Sequence, residues 1–262
     1  MGSLVCVGPG MIVGAHLSAR CRSHIVNADI IFSSCHPLME DWLKALNNNF
    51  HSLQPLYGEN KNRRITYQQM ITRMMSAVRE GKRVVGVFYG HPGVFAQVPH
   101  QAIAQAREEG FTASMEPGIS AEDCLYADLG IDPGAYGCQH METTQFMIYQ
   151  RVLDTCGYVI LWQVALAGDI SLSKRMSSSA ERKVLVKLLM HFYPPDHSVT
   201  LYECPTLITD TFRAETIPLE KLTEAKLSQV TTLVIPPANR LIKNDVVSAE
   251  LAAISKHTGD KI

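Results

Sequence analysis

Short runs of continuous apolar residues alternate, over the first half of the chain, with amphipathic stretches of helical spacing. Leu4, Val5, Cys6 and Val7 read as a buried strand, followed at once by Gly8, Pro9 and Gly10. Over residues 14–28, Leu17, Cys21 and Ile25 recur every four positions, the period of one helix face. Residues 29–32 predict a second strand and residues 39–46 a second helix. The next helix is predicted to begin at Tyr67. Thr66 and Gln69 form a capping box, Met70, Ile71, Met74, Met75 and Val78 form one stripe, and Gly81 closes it. Residues 84–89 are a near-continuous apolar strand of the kind that parallel sheets bury on both faces. A helix over 99–110 and a strand over 112–115 follow. Strands alternating with helices predict βαβ units around a parallel sheet.

The rhythm changes after Pro117 and Gly118. Ser120 can cap a helix whose first turn carries Glu122 and Asp123, and Asp132, Pro133 and Gly134 then break the chain. Beyond the break come strands at 158–164, 199–202 and 231–235, with a helix at 180–192 between the first two, and Pro236 and Pro237 end the pattern. The fold expected is α/β, in two α/β domains, residues 1–118 with a parallel sheet and residues 119–237, plus a partly helical tail at 238–262. No internal repeat or low-complexity tract appears.

With 46% hydrophobic and 19% charged residues, the 262-residue chain has a globular composition. A net charge of -1 argues against nucleic acid as a partner. The seven cysteines contain no C-x-x-C pair, and the ten histidines no H-E-x-x-H, so no metal site is expected. The longest apolar run, about residues 158–167, is too short to cross a bilayer, and residues 1–7 lack a signal pattern. A cytoplasmic protein with no membrane partner is expected. Cysteines and methionines are read as core.

Three glycine-bearing turns follow three strands: VGPGMIVG, YGHPGVF and EPGISAED. Ligands of open parallel sheets bind outside the carboxyl ends of the strands, so three such turns predict a small-molecule cleft, though each can simply turn a corner. A dinucleotide is disfavoured. G-x-G-x-x-x-G is one residue too long, Pro9 removes a phosphate-binding N–H, and Asp29, at the spacing of a ribose partner, precedes its strand. The N-terminus of the helix after Ser120 offers free N–H donors. His91 sits in a turn, where backbone shape explains it as well as acid–base chemistry. The stretch YGENKNRRITY sets Tyr57, Arg63 and Tyr67 about one helix mouth. A guanidinium favours a neighbouring phenolate, so the cluster reads either as a base and oxyanion-binding set or as an amphipathic loop.

Taken together, VGPGMIVGAHLS, EPGISAED and TTLVIPP resemble the tetrapyrrole methylase family over residues 3–237. That resemblance implies S-adenosylmethionine bound between two α/β domains, with S-adenosylhomocysteine as product, and a homodimer. FYGHPGVF, AREEGF, PGISAED, GIDPGAYGC and ILWQVA resemble more narrowly the borosin peptide methyltransferases, which methylate backbone amide nitrogens of a ribosomally made precursor peptide. GHP stands here where a tetrapyrrole enzyme has GDP. The narrower resemblance implies catalytic roles for Tyr57, Arg63, Tyr67 and Tyr89. It implies cofactor contacts at Gly8, Pro9, Gly10, Tyr89, His91, Val94, Phe95, Ser120, Ala121, Gln163, Cys204, Thr231 and Thr232. The last residues, SKHTGDKI, hold no run of small apolar residues to methylate. The expected substrate is therefore a separate precursor peptide, bound by the homodimer or in a heterotetramer with two precursor chains. Two rivals stay open: a small-molecule methyltransferase of the same fold, and a cofactor-binding module without turnover.

Overall fold

The computed structural model describes residues 2–58, 60–174 and 176–258. Five strands in the first half are β1 (Ser3–Val7), β2 (Ile30–Ser34), β3 (Phe50–Ser52), β4 (Arg83–Phe88) and β5 (Thr112–Glu116). They form one all-parallel sheet in the order β3-β2-β4-β1-β5. Four helices cover it: α1 (Ala19–Asn27), α2 (Pro37–Leu46), α3 (Arg63–Arg79) and α4 (Gln97–Glu108). Side chains alternate between the two faces of a strand. Leu4, Phe32 and Val84 accordingly pack with Met70 and Met74 of α3 and Ala102 and Ala106 of α4. Val7, Ile31, Val85 and Val87 turn the other way, onto Cys21 and Ile25 of α1 and Met39 and Leu43 of α2.

The second half begins with α5 (Ala121–Leu129) and the single turn α6 (Pro133–Tyr136). It continues with β6 (Cys138–Glu142), α7 (Thr143–Ile148), β7 (Tyr158–Trp162), α8 (Ser179–Leu189), β8 (Ser198–Glu203), β9 (Arg213–Pro218), β10 (Thr232–Ile235) and α9 (Asp245–Thr258). The sheet order is β6-β7-β10-β8-β9, with β6 and β7 parallel and the other pairs antiparallel. One face packs on Leu185 and Leu189 of α8. The other, with Ile160, Trp162, Tyr202 and Val234, packs on Leu125 of α5.

Several boundaries differ from the sequence pattern for local reasons. Helix α1 starts at Ala19, where Ser18 accepts from the Cys21 N–H, because residues 11–16 curl around His16 instead. His16 Nδ1 accepts from the N–H groups of Met11 and Ile12, both at 3.3 Å. Helix α3 starts four residues before Tyr67. Asn62 is its cap, so Thr66 and Gln69 form no capping box, and the buried Thr66 hydroxyl donates instead to Leu56 O at 3.2 Å. Strand β7 stops at Trp162 because Gln163 takes a left-handed conformation (φ 58°). The helix within the tail is α9, and residues 259–262 lie outside the described residues.

Candidate active site

The three glycine turns meet each other at the carboxyl ends of β1, β4 and β5. Gly10 and Gly90 exchange two backbone hydrogen bonds of 3.2 and 3.1 Å, each residue at a positive φ (81° and 68°) that glycine adopts without steric cost. A Cβ on Gly8 would lie 2.2 Å from Gly90 O, and one on Gly118 would lie 2.3 Å from that same oxygen. Side chains are thus excluded where three strand ends converge.

Beside this junction lies a cavity of about 350 Å³ between the two sheets, a size typical of small-molecule sites. Eleven of the residues singled out from sequence line it: Tyr57, Tyr67, Tyr89, His91, Val94, Phe95, Ser120, Ala121, Gln163, Cys204 and Thr232. Gly8, Pro9, Gly10, Arg63 and Thr231 are not among the lining residues. Gly8 and Gly10 instead support the Gly90 turn from behind. Thr231 is fully buried, and its hydroxyl donates to Glu203 Oε1 at 2.5 Å. Asp29 is remote in role as well, since its carboxylate binds the Arg83 N–H and guanidinium, both at 2.7 Å.

Phe95 (φ 49°) and Gln163 (φ 58°) line the cavity in left-handed conformations that cost a non-glycine residue free energy. The Phe95 ring packs 5.6 Å from the Trp162 ring. At the N-terminus of α5, Ser120 and Asp123 form a reciprocal capping box. Ala121 and Glu122, next in that first turn, both line the cavity.

The tyrosines carry the polar chemistry. Although 39% of Tyr57 is exposed, its hydroxyl hydrogen-bonds Ser34, and burial pushes its pKa up. Burial raises Tyr67 likewise. Arg63 lowers both phenols but does not prevail, which corrects the expectation that the guanidinium would favour a neighbouring phenolate at Tyr67. Part of the reason is visible at the guanidinium, whose Nη2 lies 3.2 Å from Asp169 Oδ2 and whose Nη1 donates to Lys174 O at 3.0 Å. Tyr89 is also raised, first by burial and then by the thiols of Cys204, Cys124 and Cys35. A hydrogen bond from Cys124 holds the Cys204 thiol below its ordinary range.

Behind Trp162 is a polar chain that the sequence did not suggest. Trp162 Nε1 donates to His140 Nδ1 at 3.2 Å, and His140 Nε2 lies 2.7 Å from the Tyr126 hydroxyl and 3.3 Å from Glu122 Oε1. Burial lowers the His140 pKa, against the opposing pull of Glu122. A neutral imidazole protonated on Nε2 satisfies both contacts. Ser34, Glu122, Trp162 and Asp169 were all missed, because the contact that brings each to the site comes from elsewhere in the chain: Tyr57 for Ser34, His140 for Glu122 and Trp162, and Arg63 for Asp169.

Residues 3–216 match the family described as Tetrapyrrole (Corrin/Porphyrin) Methylases. The chain is 40% identical over 243 residues to a methyltransferase/ribosomally synthesized type I borosin cyclic peptide precursor of Coprinopsis marcescibilis, covering 90% of this chain and 62% of that protein. It is 36% identical to a type II borosin counterpart of Phlebiopsis gigantea, covering 94% and 45%. It is 34% identical to the methyltransferase/ribosomally synthesized cyclic peptide omphalotin A precursor of Omphalotus olearius, covering 93% and 60%. The chain therefore spans between 45% and 62% of the length of these relatives. Among solved structures, uroporphyrin-III-C-methyltransferase from Thermus thermophilus superposes with a TM-score of 0.64 at 16% identity, covering 90% and 92% of the two chains. A cobalt precorrin-4 methyltransferase reaches the same TM-score at 14% identity, covering 89% and 94%. These two share the fold.

Proposed function

The chain belongs to the tetrapyrrole (corrin/porphyrin) methylase family, and from that premise we propose that it is an S-adenosylmethionine-dependent methyltransferase acting repeatedly on backbone amides of a ribosomally made precursor peptide. The observation that carries the reading is the convergence of Tyr57, Tyr67 and Tyr89 on one cavity, with Arg63 opening the helix that bears Tyr67. The relatives' names, which join a methyltransferase to a ribosomally synthesized peptide precursor, support the substrate class.

The cavity suits the cofactor. Its wall combines apolar side chains (Met11, Val94, Phe95, Trp162) with Ser120 and Gln163, and a helix N-terminus offers N–H donors to a carboxylate or hydroxyls. His91, Cys204 and Thr232 complete the proposed contacts. Gly8 and Gly10 act by holding the Gly90 turn, with Pro9 between them, and Thr231 by anchoring Glu203 behind the wall. When bound, S-adenosylmethionine supplies an electrophilic methyl group on a sulfonium.

An amide nitrogen is a poor nucleophile because its lone pair is delocalised into the carbonyl. The chain's own residues must therefore hold the amide and draw off its proton. Tyr67 is the proposed base, and its raised pKa makes the phenolate scarce at neutral pH but stronger once formed. Tyr57 and Arg63 are proposed to donate to the carbonyl oxygen as it gains charge, and Tyr89 to close the pocket beside the reacting nitrogen.

The same reading takes the precursor on a separate chain, a homodimer that binds two precursors as a heterotetramer, a division near residue 118 with a tail from 238, and a cytoplasmic setting. Co-expression with the small polypeptide encoded beside the gene tests it. Intact mass should rise in whole methylene units, fragmentation should assign them to backbone nitrogens, and Tyr67→Phe should abolish them. An unmodified peptide alongside bound cofactor would shift the assignment to a small-molecule substrate.

A further inference from the structure

Asp169 is a carboxylate with 2% of its surface exposed, in the segment between β7 and α8. Three donors from its own segment reach it: the Ser171 N–H (3.1 Å), the Ser171 hydroxyl (2.6 Å) and the Lys174 N–H (3.1 Å). Among the described residues, the cation paired with it is the Arg63 guanidinium, from the other half of the molecule. A buried carboxylate is costly to keep without a cation beside it, so this pairing ties the two halves together electrostatically.

The backbone around Asp169 repeats the tie. Residues 169–174 form a strap laid across the start of α3. Leu172 O accepts from the Arg63 N–H at 2.9 Å, and Ser171 O accepts from Asn62 Nδ2 at 3.2 Å. Lys174 O accepts from Arg63 Nη1 at 3.0 Å. Leu172 reaches this geometry at a φ of 57°, a conformation that leucine adopts only when its surroundings impose it. At its far end the strap is fastened by Lys174 Nζ on Glu181, 2.5 Å away. Both the main chain and the side chain of Arg63 are therefore gripped by one short segment, although an arginine at a helix start would otherwise sample many rotamers.

We propose that Asp169, through the 169–174 strap, is the positioning residue for Arg63, fixing the guanidinium so that its remaining N–H groups serve the tyrosine-lined cavity. The inference rests on the role given above to Arg63. Asp169 does not line the cavity and acts only through the arginine.

The experiment is a double-mutant cycle between Asp169→Asn and Arg63→Lys, read as single-turnover methylation of the synthetic precursor peptide. Asp169→Asn should slow turnover by about 100-fold, the scale of a misplaced catalytic group, while the peptide KM and the cofactor Kd change by less than about twofold. Asp169→Glu should recover part of the loss. The double variant should be no slower than Arg63→Lys alone. Multiplicative losses, or a fall in cofactor affinity matching the fall in rate, would overturn the proposal in favour of a purely structural strap.

Guanidinium NMR of arginine-labelled protein supplies a reading independent of turnover. Arg63, assigned by its loss in Arg63→Lys, should show separate, slowly rotating Nη resonances in the wild type that average in Asp169→Asn. A freely rotating Arg63 in the wild type would overturn the proposal. Absence of wild-type methylation with a restrained Arg63 would instead count against the peptide substrate.

Discussion

Gly8 and Gly118 pack backbone against backbone: a Cβ built on Gly118 would fall 2.7 Å from the Gly8 Cα. Neither neighbour can yield as a flexible side chain would. We therefore expect Gly118→Ala to destabilise the fold by about 2 kcal/mol or more, the upper part of the range for overpacked sites. Urea denaturation should register a lower midpoint with an unchanged slope. A shift below about 0.5 kcal/mol would mean that the turns separate easily.

With Tyr67 as the proposed base, its burial predicts an alkaline pH dependence of methylation. A phenol whose pKa lies above its usual value of about 10 is ionised in a fraction that rises tenfold per pH unit across the neutral range. The rate of peptide methylation should climb roughly tenfold from pH 7 to 8 and again from 8 to 9. Tyr67→Phe should lose about 100-fold or more while keeping cofactor affinity. A flat profile between those pH values would remove Tyr67 from the role of base.

His140 sets an acid limit on stability. Its folded pKa lies below the ordinary value of about 6.5, so between the two values the unfolded chain binds more protons than the folded one. Stability should accordingly fall as pH drops through 6.5 and level off below the folded pKa. His16, also lowered by burial, adds a contribution of the same sign. Thermal melts from pH 7.5 to 5 should show this slope, and His140→Gln should reduce it. Protonation at Nδ1 also ends the bond from Trp162. In a Trp42→Phe background, Trp162 fluorescence should therefore change with the same midpoint.

Asp29 offers a control. Its pKa is depressed to about 2, first by the side-chain hydrogen bond from Arg83, and the pair lies on the surface. Asp29→Asn should leave cofactor affinity within about twofold, since exposed pairs contribute little. A tenfold loss by calorimetry would restore the ribose-partner role that its spacing suggested.

The parallel sheet could be read from the sequence because strands buried on both faces are continuous apolar runs, as Val84 to Phe88 are. Helix α3 was visible in its methionine stripe, yet its start was not, because Asn62 rather than Thr66 takes the cap. Strands β6 and β9 stayed hidden. Both are sheet edges, CQHME half-buried on each side and RAETIP largely exposed, so neither alternates cleanly. Tyr57 and Tyr67 stood out in the stretch YGENKNRRITY, whereas Tyr89 came only through the resemblance to the borosin methyltransferases. Asp169 and His140 were missed, because Asp169 meets Arg63 across more than a hundred residues and His140 needs β6 beside β7 to reach Trp162.

The order of the first sheet also governs how the chain is born. β1 emerges first but lies between β4 and β5, so Ser3 waits for Arg83 and Thr112 before either edge is paired. At about 5–20 residues per second, a ribosome needs roughly 4–16 seconds to supply the first of those partners. Throughout that interval the nascent chain carries an apolar strand with both edges open, and the glycine junction can close only once Gly118 has followed. The cavity is thus complete only after Thr232, the last residue of its wall, has been made, and its assembly depends on keeping β1 from pairing elsewhere.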